Sequence, residues 1–223
     1  MQHNNIIPVT SPVYQELTSI ADSTKIIIFS GLPGVGKSLY VQAFQNIASD
    51  KKLAFDIIQW DVARKAFETE SILTKFPMGE GIVHNGLKLI AGLWLMDTIK
   101  NWLKKHRDDR RLLIIEAPLV GHRFVELVKP SDDAELESFL SSDKVKVVMP
   151  IPSKTVRNQI EKARSEQVSE DAKVWMGAKP SVMLMLWKMT CGIANEFGMD
   201  IDLSEQPPYN PAIYEYVFSE ILK

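Results

Sequence analysis

A single cysteine, Cys191, leaves no internal disulfide to form, and its strongly apolar surroundings fit a reducing compartment and a buried thiol rather than a reactive one. Long hydrophobic runs are missing too. Val182 to Trp187 stops at Lys188, and the longer segment Ile82 to Leu103 is interrupted by Lys88, Asp97, Lys100 and Asn101, so neither is expected to span a bilayer. Nor is there an excess of one charge: 26 Lys and Arg face 28 Asp and Glu, a formal net charge of -2. That balance removes the electrostatic case for a dedicated binder of nucleic acid or of an anionic membrane, and only a local basic patch, of the size an RNA end needs, stays open. Met1 to Thr10 lacks the basic-then-apolar pattern of a secretion signal, so a cytoplasmic location is expected. His3, His84, His106 and His122 share no metal-ligand spacing with the lone cysteine, and no structural zinc is expected.

No repeat, low-complexity block or Pro/Gly-rich linker divides the 223 residues, which predicts one domain over 1–223. Pro8 and Pro12 make residues 1–24 a poor helix and suggest a loosely structured extension. With 45% hydrophobic and 24% charged residues, the remainder has the composition of a compact globular chain. Short β-branched or aromatic runs at Lys25–Ser30, Ala54–Trp60, Arg111–Glu116 and Lys144–Met149 read as strands, with a weaker fifth at Met199–Leu203. Between them the period changes to that of helices, over Leu39–Ala48, Gly81–Lys105, Ser153–Gln167, Ser181–Phe197 and Ala212–Leu222, with a short helix running to Leu140 from a cap in Ser131-Asp-Asp-Ala. Met183, Met185, Met189 and Trp187 are assigned to packing. Strand alternating with helix predicts an α/β fold of three layers, a mostly parallel sheet with helices on both faces.

Directly after the first strand stands Gly31-Leu-Pro33-Gly34-Val35-Gly36-Lys37-Ser38, with Leu39 continuing into a helical pattern. This satisfies Gly-x-x-x-x-Gly-Lys-[Ser/Thr] at every required position and in the required strand-loop-helix context. Glycines let a loop curl with its amides turned inward on a polyphosphate, and the helix that follows aims its positive end at the same charge. Lys37 supplies a compact cation for the β- and γ-phosphates, and the Ser38 hydroxyl is a ligand for magnesium. ATP and Mg2+ are the cofactors this motif predicts. No Asn-Lys-x-Asp or Thr-Lys-x-Asp element is present to read guanine, and no Leu-Ser-Gly-Gly signature marks an ABC ATPase.

In an open parallel sheet ligands bind beyond the carboxyl ends of the strands, which singles out the polar residues standing there. Asp61 and Arg64 follow the second strand: Asp61 suits a base for an acceptor hydroxyl and Arg64 a holder of an anionic or hydroxyl-bearing substrate, while a helix cap with a surface partner is the plainer reading. Glu116 closes an apolar strand where an unpaired carboxylate is costly. It fits a magnesium partner beside Ser38, less readily the base itself, or else a strand-end carboxylate paired with Arg111 or Arg123. His122 and Arg123, after the Gly121 turn, are candidates for the same crevice. Arg157 and Arg164 fall within ~20° of each other on a helix. They fit a polyphosphate clamp, or, with Glu161, an ion-paired solvated face. Ser165 to Pro180, poor in apolar residues, suits a lid or an ordinary exposed loop, and the possible lid is taken as 153–180.

These residues in this order resemble the P-loop kinase group, which includes nucleoside and nucleotide kinases, gluconate and shikimate kinases and zeta-toxin-like kinases. The resemblance spans residues 25–165 and rests on Gly31–Ser38, Asp61-x-x-Arg64, Ile-Ile-Glu116 and the arginines after Pro152. It implies strand order 2-3-1-4-5, a magnesium-ATP donor, Asp61 as the acid that activates the acceptor, and Arg157 or Arg164 as lid arginines. The third strand lacks the Asp-Gly-Phe-Pro-Arg element of adenylate-kinase-like enzymes, and Leu39 stands where many relatives have a second hydroxyl residue. The expected activity is therefore transfer of the γ-phosphate to an unnamed small-molecule hydroxyl or phosphate acceptor. The alternative is an accessory ATPase or nucleotide-dependent switch acting on a protein partner.

Overall fold

The computed structural model describes residues 7–79, 83–120, 124–170 and 180–222, with 164–170 described by backbone alone. The chain divides into two compact units, Met1–Ser30 with Lys37–Met149, and Gly31–Gly36 with Pro150–Lys223.

The first unit is built on four strands, β1 (Ile26–Ser30), β2 (Phe55–Gln59), β3 (Leu112–Ala117) and β4 (Val145–Val148). All pairings are parallel and the order is β2-β3-β1-β4, the first four positions of the expected P-loop arrangement. β1 is central and buried at every residue, which is why it reads as an unbroken β-branched and aromatic run rather than an alternation. Ile27 and Phe29 of β1 and Leu112 and Ile114 of β3 point to one face. There they share a core with Leu17, Ala21, Val41, Phe44, Ile47 and Ala48, contributed by α1 (Pro12–Ser23) and α2 (Lys37–Asp50). Phe44 is wholly buried and meets Phe29 edge-on at 5.9 Å, so truncating it to alanine would cost about 3–5 kcal/mol.

α1 corrects the expectation of a loose start. Proline is unwelcome inside a helix but suited to its first position, where its fixed φ is already helical and no N–H is needed. Pro12 occupies that position, and the Ser11 hydroxyl caps the helix by accepting the Tyr14 N–H at 3.2 Å. From β2 the chain enters α3 (Trp60–Ala63), a 3₁₀ turn (Arg64–Phe67) and α4 (Glu70–Lys75). α5 (Asn85–His106) buries Leu87, Ala91, Leu95 and Ile99 at helical spacing. A second 3₁₀ turn, Val125–Val128, packs on α5, and α6 (Ala134–Leu140) starts from an Asp133 cap, within the segment 131–134 expected to cap it.

The second unit holds α7 (Lys154–Glu170), α8 (Pro180–Glu196) and α9 (Pro211–Ile221). α8 buries Met183, Leu186, Trp187, Thr190, Cys191 and Ala194. Burial pushes the Cys191 thiol up to about 11, as befits a core residue. Met189, assigned above to packing, is 37% exposed.

Residues 199–203 do not form the expected fifth strand; among the described residues the sheet has four. The reason is local. Asn195 takes both backbone groups of Ile201, accepting its N–H at 2.9 Å and donating to its carbonyl at 2.8 Å, so the groups a sheet would need are already committed.

Candidate functional site

In the first unit the polar residues at the carboxyl ends of the strands converge on one carboxylate. The parallel ladder sets Glu116 of β3 level with Gln59 of β2 and Phe29 of β1. The Gln59 amide donates to Glu116 Oε2 at 2.9 Å, and the Ser38 hydroxyl lies 3.4 Å from Oε1. Ser38 reaches this position because α2 opens at Lys37, immediately after the glycine loop. Lys37 itself is 7% exposed, whereas Leu39 turns its side chain outward.

The pairing of Glu116 with Arg111 considered above does not form. Arg111 stands at the opposite end of β3, where its guanidinium lies 2.9 Å from Asp56. Arg123, with Gly121 and His122, lies outside the described residues. Gln59 is not among the residues singled out above, because it is the last residue within β2 rather than one beyond it. Its signal was a carboxamide closing a strand at the edge where Glu116 closes its neighbour.

Asp61 occupies the first turn of α3 with its side chain 82% exposed. Its one described partner is Arg64, with Nε at 3.4 Å, and the same guanidinium also meets the Glu68 carboxylate. Asp61 does not cap the helix: Gln59 holds the cap position, without a side-chain bond. Trp60 anchors this corner, buried and edge-on to Phe124 at 5.0 Å. α5 runs antiparallel to the strands, so its two tryptophans separate. Trp94 packs on Phe67, three residues beyond Arg64, at 5.7 Å, while Trp102 bonds Asp56 at the far end of β2 at 2.8 Å.

In the second unit lies the glycine loop itself. Gly31, Gly34 and Gly36 have φ of 127°, 82° and 94°, values that side-chain-bearing residues rarely adopt. The Leu32 N–H donates to the Tyr214 hydroxyl of α9 at 2.9 Å. Arg157 is 1% exposed. Its Nε donates to Glu161 at 2.7 Å, its Nη1 donates to the Pro33 carbonyl at 3.3 Å, and its guanidinium stands 5.4 Å from the centre of the Tyr209 ring. The ion pair with Glu161 is therefore present, with Arg157 buried and only Glu161 reaching solvent. Burial pushes the Tyr209 hydroxyl up to about 12 and raises that of Tyr214 as well, so both are neutral phenols.

Of the expected lid, residues 154–170 are the helix α7, on which Arg164 is placed by its backbone; the side chain of Arg164 and residues 171–179 lie outside the description. Among the described residues no cluster of three or more His, Cys, Asp or Glu is arranged to hold a metal, and no helix is long and apolar enough to cross a membrane.

No protein-family model matches the sequence, and no curated protein matches it. Among solved structures, the chain is similar to a signal transduction ATPase with numerous domains (STAND) from Pyrococcus horikoshii that carries a tetratricopeptide repeat sensor. The two share 13% identity at a TM-score of 0.26, over 96% of this chain and 32% of that one, so this chain spans about a third of that protein's length.

Proposed function

We propose that this chain binds magnesium-ATP through Gly31–Ser38 and transfers the γ-phosphate to a small-molecule hydroxyl or phosphate acceptor. The observation that carries the reading is the complete phosphate-loop motif after the central strand of a parallel sheet, with Glu116 of the adjacent strand 3.4 Å from the Ser38 hydroxyl. A hydroxyl beside a carboxylate is the hard-oxygen pair that suits magnesium, which takes the rest of its shell from phosphates and water rather than from an all-protein cage. When bound, the ion supplies charge neutralisation across the β- and γ-phosphates.

The chain's own residues do the rest by position and charge. Lys37 neutralises the transferred group, and Glu116, steadied by Gln59, orients the metal's ligands through its carboxylate. Asp61, exposed and touching a cation, accepts the acceptor's proton, while Arg64 holds the acceptor; Arg123 is assigned to the acceptor as well, and Arg164 to the charge of the polyphosphate. Arg157 serves the site from behind, on the backbone of the loop. The protein-partner reading, an accessory ATPase or switch, predicts turnover only when a partner is present.

Titration with Mg·ATP, followed by a screen of radiolabelled γ-phosphate transfer to nucleosides, sugars, sugar nucleotides and RNA ends, tests this. Saturable binding and a labelled small molecule are expected, and Asp61→Asn should keep the binding and lose the transfer. Absence of saturable binding by folded protein would defeat the nucleotide reading, and unchanged transfer in Asp61→Asn the base assignment.

A further inference from the structure

We infer that Tyr214 is a positioning residue for the phosphate loop, setting the direction of the loop's backbone before nucleotide arrives. The inference rests on the reading of Gly31–Ser38 as a phosphate site and goes beyond it, since nothing in that motif calls for a residue near the far end of the chain.

Tyr214 lies on α9, wholly buried, with its ring stacked on Phe218 at 4.8 Å and 25°, so the direction of its hydroxyl is fixed by packing. The oxygen does two things at once. It accepts the Leu32 N–H at 2.9 Å, and it fills the space beside Gly31: a Cβ added there would fall 2.2 Å from it. The first turn of the loop is thus wrapped around one phenolic oxygen, and glycine at position 31, with φ of 127°, is what leaves the room.

The peptide two further on is held by Arg157, whose Nη1 donates to the Pro33 carbonyl at 3.3 Å. In a planar trans peptide the carbonyl and the following N–H point in opposite directions. Fixing the Leu32 N–H toward Tyr214 therefore sends the Gly31 carbonyl away from it, and fixing the Pro33 carbonyl toward Arg157 turns the Gly34 N–H the opposite way. A loop that binds anions through its amides must present those N–H groups together, and a loop held in that form does not spend binding energy on ordering itself. Tyr214 and Arg157 supply that order from residues 150–223.

The test is a double-mutant cycle read by calorimetric titration with Mg·ATP. Tyr214→Phe removes the oxygen while keeping the ring, and an approximately tenfold rise in Kd is expected, with far-UV circular dichroism unchanged. Gly31→Ala should weaken binding further, roughly a hundredfold, because its methyl meets the phenol oxygen, crowds Val35 Cγ2 at 3.1 Å and sits at a φ that alanine rarely adopts. The double variant is the discriminating measurement. With the oxygen gone the nearest Tyr214 atom to that methyl is a ring carbon 3.5 Å away, an ordinary contact, so Tyr214→Phe should restore part of the affinity that Gly31→Ala loses. A stabilising role remote from the loop would instead make the two losses multiply.

Wild-type affinity in Tyr214→Phe, or multiplied losses in the double variant, overturns the inference. A wild-type chain that takes up no Mg·ATP removes the phosphate-site reading itself, a result separable from both. Should the Phe variant fail to fold, hydrogen exchange on the wild type decides. The Leu32 amide is expected to be protected equally with and without Mg·ATP, and protection that appears only with nucleotide overturns the role of Tyr214.

Discussion

The two ends of the parallel sheet in the first unit treat their carboxylates differently. At the amino ends of the strands Asp56 faces the Arg111 guanidinium at 2.9 Å and the Trp102 indole at 2.8 Å, and Asp109 faces the Lys25 ammonium at 3.0 Å. At the carboxyl ends Asp61 and Glu68 share the Arg64 guanidinium, but Glu116, beside Ser38, receives an amide and a hydroxyl, both neutral donors. A carboxylate matched by a cation is a structural element whose charge is already answered. One steadied by neutral dipoles keeps its orientation and its charge, which is what a cation-polyphosphate ligand requires. The same fold thus separates a closed electrostatic edge from an open one, and the open edge is where the parallel-sheet rule places ligands.

The contrast is sharpest if each end is broken in turn. Lys37→Ala at the open end should give the largest effect, weakening Mg·ATP roughly a hundredfold and abolishing transfer, because it removes the motif's one ammonium from the phosphates. Binding that survives within twofold would remove Lys37 from the site. Glu116→Gln should follow, with a ten- to hundredfold loss of magnesium dependence. Its signature is selective: ATP titrated in excess chelator should bind the variant and the wild type alike. An equal loss with and without magnesium would reassign Glu116 to loop packing.

Much of this was legible in the sequence where composition and spacing act locally. β1 announces itself by an apolar run, and the phosphate loop by residues whose conformational freedom and charge have few other uses. What was not legible depended on partners distant in the chain. Pro12 reads as a helix breaker until Ser11 is seen capping the turn before it. Residues 199–203 read as a strand by residue type, but Asn195 claims the backbone of Ile201. Gln59 acquires meaning only from the register that brings it to Glu116. Arg157 was visible as a cation four residues from Glu161, yet its burial against Pro33 and Tyr209 joins residues whose pairing no local pattern carries.

Breaking the closed end should leave nucleotide chemistry untouched and move stability alone. Asp56→Asn removes the anion opposite Arg111; because both side chains are partly exposed, at 43% and 33%, the cost is about 0.5–1 kcal/mol, or a melting temperature lower by about 1–4 °C. The Mg·ATP Kd should not change, and a variant that melts normally but binds weakly would erase the distinction between the two ends.

The smallest effect belongs to Asp109, and it carries a pH signature. The hydrogen bond with His106, 2.7 Å away, and then that with Lys25 hold its carboxyl well below the ordinary 3.8. A carboxyl whose pKa is depressed on folding stabilises the native state above its unfolded value and loses that contribution as pH falls through the folded value. Asp109→Asn should therefore melt slightly below wild type at about pH 6, by less than Asp56→Asn because Lys25 keeps its bond to the backbone carbonyl of residue 109 at 2.6 Å. The gap between the two curves should begin to narrow as pH drops below 3.8, where the unfolded carboxyl starts to take up its proton, and close only at the lower pH where the folded carboxyl does so. Melting curves collected between about pH 6 and about pH 2 measure this directly. A gap that holds constant over that range would mean that Asp109 acts through shape and hydrogen bonding rather than charge, and that the amino-end edge is not electrostatic in origin.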